Sequence, residues 1–222
     1  MSELERLVHE MAAINTAFYP LQIILGAIAV SLGVMIFIKP GKWTSRGMKL
    51  LLGFMYSLIA WGVAICYINL RGTYYLFTAT VHGLVAILFF VSLTKGDIDF
   101  DLTKKGNHPL LSSVLMLYGI IVYPIVEIAL GYNWPGMFVF GALCPTGVFA
   151  VGTLLSAHST AKESQTYRLL LWLVSIGAII CGGRTILIGG VFDFSYFSSG
   201  LVGVYHLSRA LTRSDSGAGW DA

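Results

Sequence analysis

Two histidines inside apolar stretches are the residues best placed to carry chemistry. His82 stands near the centre of the apolar stretch 72–94, and His206 follows Tyr205 within the stretch 194–212. Ionisable groups at such positions often mark solute pathways or proton relays, because charge is costly in lipid. Two imidazoles that face each other at equal depth could instead ligate haem. Because the two positions are offset in depth, a pair of neutral, hydrogen-bonded histidines is the simpler interpretation.

A second candidate site is the run Cys144-Pro145-Thr146, near the centre of the apolar stretch 136–156. Proline removes a backbone hydrogen bond and clashes with the preceding turn, which predicts a kink or a short unwound segment. Thr146 could then bond the carbonyl that this break frees. Irregular backbone at membrane depth persists only where it is buried in protein or lines a cavity. The run therefore predicts a solute site at the midplane, and a static packing kink is the alternative.

Three charged residues, Glu127, Arg184 and Asp193, fall near the outer ends of their apolar segments. Their opposite charges at one depth predict an ion-pair network that holds the fourth segment against the connection between the sixth and the seventh. That connection is rich in glycine, which permits close helix packing. An external gate, or a vestibule that attracts anions, is the alternative function of the three residues.

These candidates lie on seven apolar stretches, each of roughly the length that crosses a bilayer. The chain has 222 residues, of which 56% are hydrophobic and 11% charged, and its mean hydropathy is +0.78. An average soluble domain carries about 25% charged residues. The composition therefore predicts an all-α integral membrane protein with seven transmembrane helices, at 18–38, 48–69, 72–94, 109–131, 136–156, 168–189 and 194–212.

The distribution of basic residues predicts the orientation, because short cytoplasmic loops are enriched in Lys and Arg. Seven spans place eleven of the fourteen Lys and Arg residues on the side of the C-terminus, and only Arg6, Arg71 and Arg184 on the other side. We expect the N-terminus outside and the C-terminus in the cytoplasm. The net charge of +3 then reflects orientation and contact with anionic lipid, and no nucleic-acid partner is predicted.

The two halves of the chain resemble each other at a nearly constant spacing. Three motifs recur in order: Phe18-Tyr19-Pro20 as Asn133-Trp134-Pro135, Lys49-Leu50-Leu51 as Arg168-Leu169-Leu170, and Leu93-Thr94-Lys95 as Leu211-Thr212-Arg213. Two triplets joined by one helix give a parallel 3+1+3 repeat, a plan known among secondary transporters. The predicted units are an outer amphipathic segment 1–17, a three-helix unit 18–94, a cytoplasmic loop 95–108, a linker helix 109–131, a second three-helix unit 132–213 and a flexible tail 214–222.

One dense run of aromatic residues, prolines and glycines carries a family resemblance. It comprises Tyr123-Pro124, Gly131-Tyr132-Asn133-Trp134-Pro135, Phe140-Gly141 and Cys144-Pro145-Thr146. This run resembles the signature of an uncharacterised bacterial family of multi-span membrane proteins, a domain of unknown function. Near the first span, Asn15, Tyr19-Pro20 and Gln22 are similar to its N-terminal motif. The resemblance implies an integral protein of a bacterial cytoplasmic membrane and implies no particular activity.

Several classes of protein are not supported by the sequence. It contains no GxxxxGK[ST], HExxH or GxSxG motif, and its three cysteines form no CxxC pair, so neither an enzyme nor a metal site is predicted. The leading hypothesis is a transporter or channel for an unknown small solute, with its path between the two triplets. The alternatives are a non-catalytic subunit or scaffold, in a larger membrane complex or a homo-oligomer, and a membrane redox protein in which the two histidines hold haem.

Overall fold

Helices make up almost all of the described structure. The computed structural model describes residues 2–70, 73–103, 108–157 and 164–215, with side chains up to residue 65 in the first range and up to residue 209 in the last. No β-strand of more than an isolated bridge occurs within these ranges. The helices are α1 (Glu3–Ile38), α2 (Lys42–Leu70), α3 (Thr73–Lys95), α4 (Pro109–Ala129), α5 (Leu143–Leu155), α6 (Gln165–Leu187) and α7 (Phe194–Asp215).

Five of these helices are long and apolar enough to cross a membrane, namely α1, α2, α3, α4 and α6. The other two differ from a typical span. α5 has only 13 residues, and α7 has 22 residues but a less apolar composition. A membrane location is therefore compatible with the structure, and the coarse prediction of an all-helical protein is confirmed.

Consecutive helices run in alternating directions. At one end of the bundle, Glu3 at the start of α1 pairs with Arg184 near the end of α6. At the opposite end, Lys49 near the start of α2 donates to the carbonyl of Ser92 near the end of α3. We refer to these as the N-terminal end and the loop end. The tightest pairings are α2 with α3 and α6 with α7, and α3 joins the two pairs by packing on α6.

α5 lies at the centre of the bundle. Every residue from Cys144 to Leu155 is buried, so this short helix is enclosed by other helices and not by lipid. Its neighbour α4 contains a π-helical turn at Tyr118–Val122, and Gly119 in that turn lies directly against α5. A Cβ atom at Gly119 would lie 2.4 Å from the carbonyl oxygen of Pro145. Glycine is therefore required for the two backbones to approach this closely.

The predicted separate segment 1–17 is not a separate element. α1 runs without a break from Glu3 to Ile38, although Pro20 lies inside it, and Ser2 caps its first turn. A proline within a helix removes one hydrogen bond but need not end the helix when packing holds both sides. Here the part before Pro20 packs through Leu4, Leu7 and Met11 against the buried cluster at the N-terminal end.

The segment after α3 closes the loop end of the bundle. Ile98, Phe100 and Leu102 alternate with aspartates and are buried, at no more than 4% exposure. The backbone N–H of Asp101 donates to the carbonyl of Ser156 at 2.9 Å, which ties this segment to the end of α5. Residues 98–102 of the predicted cytoplasmic loop are therefore packed against the protein. Residues 104–107 of that loop, and 216–222 of the predicted tail, lie outside the described residues.

Candidate functional site

A cavity of about 80 Å³ lies between the two predicted triplets at the N-terminal end. Its walls come from α1, α2 and α3 on one side, and from α5, α6 and residues 138–142 on the other. Most of the wall is apolar. A few polar side chains converge on it, and together they are the candidate site: Tyr74, Thr78, Cys144, Cys181, Arg184 and Thr185. A small apolar cavity with a few placed polar groups is the usual form of a small-molecule site.

The two described cysteines hold different partners at this cavity. Cys181 on α6 lies with its sulfur 3.8 Å from the hydroxyl oxygen of Thr78 on α3. Cys144, in the first turn of α5, donates its thiol proton to Oδ2 of Asp193, with the two atoms 3.2 Å apart. Cys144 thus connects the cavity to a carboxylate behind the wall. Cys181 contacts the first predicted triplet from the second, and the sequence did not single it out.

Two carboxyl groups are buried behind the cavity wall. Asp193 lies in the short 3-10 turn Val191–Asp193 before α7, and Glu127 lies near the end of α4; both are 0% exposed. Asp193 accepts a second hydrogen bond from the hydroxyl of Tyr123. Glu127 accepts one from the backbone N–H of Phe138 at 2.8 Å, through its Oε2 atom. Burial raises the pKa of Asp193 to about 6, although its hydrogen bonds with Tyr123, Cys144 and Thr185 act in the opposite direction.

The predicted ion-pair network among Glu127, Arg184 and Asp193 is not what the structure contains. Arg184 pairs instead with Glu3, and this is the only salt bridge among residues whose side chains are described. The guanidinium group of Arg184 also lies over the ring of Tyr74, 4.0 Å from its centre. Hydropathy indicates how deep a residue lies along its helix but not in which direction its side chain points. In the structure the two carboxyl groups point into the bundle, whereas the side chain of Arg184 reaches the surface.

The segment Gly131–Ala142 is positioned by the N-terminal motif of α1. Asn15 is 0% exposed and its Nδ2 atom donates to the carbonyls of Pro135 and Met137, at 2.7 and 2.6 Å. Gln22 donates to Oδ1 of Asn15 at 2.9 Å and so fixes the orientation of that amide. Two stretches that the sequence linked through a family resemblance and a repeated motif therefore form one structural unit beside the cavity.

The predicted break in the fifth span occurs in a different place. α5 begins at Leu143, so Pro145 lies in the first turn of the helix and not near its centre. This position suits proline, since the first N–H groups of a helix have no partner within the helix. Thr146 has a different role from the one predicted, because its hydroxyl oxygen accepts a hydrogen bond from the N–H of Gly141 at 3.0 Å. The predicted midplane site therefore corresponds to a helix start at the N-terminal end.

The two histidines lie apart from the cavity and have different neighbours. His82 is buried, its Nδ1 atom lies 2.6 Å from the carbonyl oxygen of Thr78, and its ring stacks on Tyr56 with the centres 5.7 Å apart. His206 faces His108, with ring centres 4.4 Å apart, and Tyr205 beside it is exposed. His82 and His206 therefore have different ring neighbours, and the haem hypothesis stays a prediction.

Fold and site together define an all-helical protein whose membrane-length apolar helices enclose a buried polar cluster. The chain belongs to DUF6064, a family of unknown function, whose sequence profile matches residues 5–216. The predicted membership of an uncharacterised family is thereby confirmed. No curated protein and no solved structure matches the chain.

Proposed function

We propose that this protein is a seven-span membrane transporter or channel for a small solute, and that the cavity lined by Cys144 and Cys181 is part of its path. The observation that carries the proposal is the position of the cavity, whose walls come from both predicted triplets and not from the linker helix α4. A site between repeated units is the usual arrangement in transporters built from such units. The volume of about 80 Å³ restricts the solute to a molecule of a few heavy atoms.

The start of α1 is the proposed gate. Leu7, Met11 and Ile14 form one wall of the cavity, and the Glu3–Arg184 ion pair fastens the beginning of the same helix to α6. The side chains of this pair are about one third and nearly one half exposed, at 34% and 44%. Exposed ion pairs contribute only about 0–1 kcal/mol. The pair can therefore open at small cost, and its opening would expose the cavity at the N-terminal end.

A second candidate function is a non-catalytic membrane subunit. The observation that favours it is an apolar groove of about 300 Å³ between α1 and α4, lined by residues such as Val30, Gly33, Met116 and Ile120. Such a groove would fit an apolar helix of another chain or a lipid chain equally well. The haem alternative has no comparable geometric support.

Chemical labelling of Cys144 tests the transporter proposal. The reporter is a variant in which Cys66 and Cys181 are replaced by serine, so that Cys144 is the only cysteine. A small, membrane-impermeant thiol reagent is applied to sealed vesicles, and modification is followed by mass spectrometry. We expect Cys144 to be labelled from the N-terminal side, and several-fold faster when Glu3→Gln removes the ion pair.

Two matched controls accompany this experiment. Glu5→Gln changes a neighbouring exposed carboxylate and should not alter the rate, because glutamine also serves the capping box that Glu5 forms with Ser2. Thr153→Cys, in a chain without the natural cysteines, places a thiol at a buried position of α5 outside the cavity and should stay unlabelled. If Cys144 is as inert as that control in both the parent and the Glu3→Gln variant, the path does not pass through this cavity.

A further inference from the structure

We propose that Glu127 and Asp193 form a proton-binding pair, in which Glu127 carries the proton on Oε1 and Asp193 remains the ionised partner at neutral pH. If the transport function proposed above is correct, this proton is the coupling ion. Neither the family nor the sequence assigns such a role to the two residues.

The pair is asymmetric in its hydrogen bonding. Both oxygens of Asp193 accept hydrogen bonds, Oδ1 from the hydroxyl of Tyr123 and Oδ2 from the thiol of Cys144. Donors aimed at both oxygens stabilise the ionised form of a carboxyl group. Glu127 has one such donor, the N–H of Phe138 at Oε2, whereas its Oε1 atom is buried without a hydrogen-bond partner among the described residues. An oxygen in that position is far less costly when it is protonated.

Few positive charges lie near the two carboxyl groups. The titratable side chains that approach the pair are Tyr123 from α4, Tyr132 from the connection that follows, Cys144 from α5, Cys181 from α6 and Tyr196 from α7, and Tyr74 from α3 and Arg184 from α6 lie beyond them next to Cys181. Arg184 is the only cation in this group, and its recorded ion pair is with Glu3. Two ionised carboxylates on neighbouring elements would thus repel each other without a counter-charge. Binding one proton removes that repulsion.

The proton has a short route to the cavity. Cys144 belongs to the cavity wall and also contacts Asp193, and Thr185 is likewise shared between the wall and Asp193. A proton from the cavity can be relayed through either group: the thiol or hydroxyl gives its own proton to a carboxylate oxygen and takes the new proton in its place, so that one bond to hydrogen forms for each one that breaks. Protonation of the pair would in turn alter the bond that Asp193 makes with Cys144. A change in the protonation of the pair therefore changes a hydrogen bond of Cys144 in the cavity wall.

Infrared spectroscopy of the purified protein in lipid tests the proposal without reference to transport. A protonated carboxylic acid gives a separate carbonyl stretching band that ionised carboxylates lack. We expect this band at neutral pH in the natural chain, and its loss in Glu127→Gln. The band should persist in Asp193→Asn, and also in Asp101→Asn, a matched control at the loop end whose carboxylate accepts hydrogen bonds from Thr103.

A second measurement needs no substitution, which protects the test if Glu127→Gln does not fold. Carboxyl-¹³C glutamate incorporated into the natural chain should shift the band, and carboxyl-¹³C aspartate should not. Absence of the band at neutral pH, or a band that moves only with labelled aspartate, would overturn the assignment. A band that disappears on adding sodium ions would mean that the pair binds a metal cation instead. These outcomes are independent of Cys144 labelling, so a failure of the transport proposal remains distinguishable.

Discussion

Lys49 shows how a single buried charge can organise one end of the protein. Its side chain is only 1% exposed, and its ammonium group donates to the carbonyls of Ser92 and Ile98 at 3.1 and 2.9 Å. The first of these carbonyls belongs to the end of α3 and the second to the segment that follows. Lys49 therefore fixes the turn out of α3, while Ile98 fills the core beneath it.

Replacing Lys49 with methionine should destabilise the protein by about 1–3 kcal/mol, because two buried carbonyls lose their donor. The free energy of unfolding can be measured by titration with a denaturing detergent in mixed micelles. Lys42→Met is the matched control, since Lys42 is exposed in the first turn of the same helix. That control should change stability by less than about 0.5 kcal/mol. Equal stability of the two variants would show that the bonds of Lys49 do not hold the turn.

Asp97 provides a pH dependence at the same end. Burial acts to raise the pKa of its carboxyl group, but hydrogen bonds, chiefly from the hydroxyl of Ser164 at 2.6 Å, outweigh burial and lower it. A carboxyl group whose pKa is lowered by folding stabilises the fold at pH values above its unfolded pKa of about 4. That contribution should disappear as the pH falls through the lower, folded value.

Unfolding titrations at a series of pH values test this expectation for Asp97. The natural chain should lose stability on acidification below about pH 4, and Asp97→Asn should lose less over the same interval. Ser164→Ala should reduce the loss as well, because the hydroxyl is the main source of the lowered pKa. Parallel curves for the natural chain and Asp97→Asn would contradict the role assigned to this carboxylate.

At the scale of elements, hydropathy predicted the existence of helices better than their limits. The stretch 136–156 is apolar throughout, yet α5 begins only at Leu143. The residues before it are held in a non-helical conformation by distant groups, namely Asn15 on α1 and Glu127 on α4. No local pattern could reveal these contacts. Hydropathy also does not distinguish a helix surrounded by protein, such as α5, from one surrounded by lipid.

The repeated motifs of the sequence lie close together in the structure but differ in backbone conformation. Tyr19 and Trp134 occupy equivalent positions in the two halves, and their rings contact each other with centres 4.8 Å apart. Pro20 lies within α1, however, whereas Pro135 lies in the non-helical segment before α5. Equivalent motifs therefore meet at the interface between the triplets but adopt different backbone conformations. The 3+1+3 repeat stays a prediction.

The contact between α4 and α5 leads to a prediction at the same scale. A Cβ atom at Gly152 would lie 2.8 Å from the carbonyl oxygen of Ser112, which is backbone and cannot easily move. Gly152→Ala should therefore force the helices apart and cost about 1–3 kcal/mol in unfolding free energy. Gly83→Ala is the control, because its nearest neighbour would be Ala60 at 4.0 Å.

The control should be neutral or stabilise the protein by up to about 1 kcal/mol, since alanine favours helix over glycine. The same detergent titration measures both variants. A Gly152→Ala variant as stable as Gly83→Ala would show that the two helices do not need this close approach.

At the scale of the whole molecule, the sequence singled out one residue of the cavity wall, Cys144, but not the groups around it. Cys144 lies at a cavity between the predicted triplets, at the N-terminal end and not at the midplane that the run Cys144-Pro145-Thr146 predicted, and its role in a solute site stays a prediction. The other polar groups, Tyr74, Thr78 and Cys181, come from segments far apart in the chain. Tyr123 was visible within the family-like run, but only the fold shows that it binds Asp193. The histidines were prominent in the sequence because of their depth, which says nothing about their direction.

Because the seven helices alternate in direction, the membrane face on which each terminus lies tests the whole arrangement. An odd number of crossings places the termini on opposite faces, and eleven of fourteen basic residues then fall on the side of the C-terminus. Short α5 still counts as a crossing in this scheme, because it is buried within the protein from Cys144 to Leu155. We therefore expect all seven helices to cross the bilayer, although within the described residues only five are long and apolar enough to span one.

Epitope tags inserted one at a time, and detected in sealed vesicles with and without permeabilisation, measure this arrangement. A tag before Ser2 and a tag at Gly131 should be accessible on one face, whereas a tag at Gly41 and a tag after residue 222 should be accessible on the other. Gly41 and Gly131 serve as internal references, because each lies in a connection between helices and neither has an atom within 4 Å of its would-be Cβ. Detection of both termini on the same face would require an even number of crossings. The cavity would then no longer lie between two parallel triplets, since one of α5 and α7 would have to remain outside the bilayer.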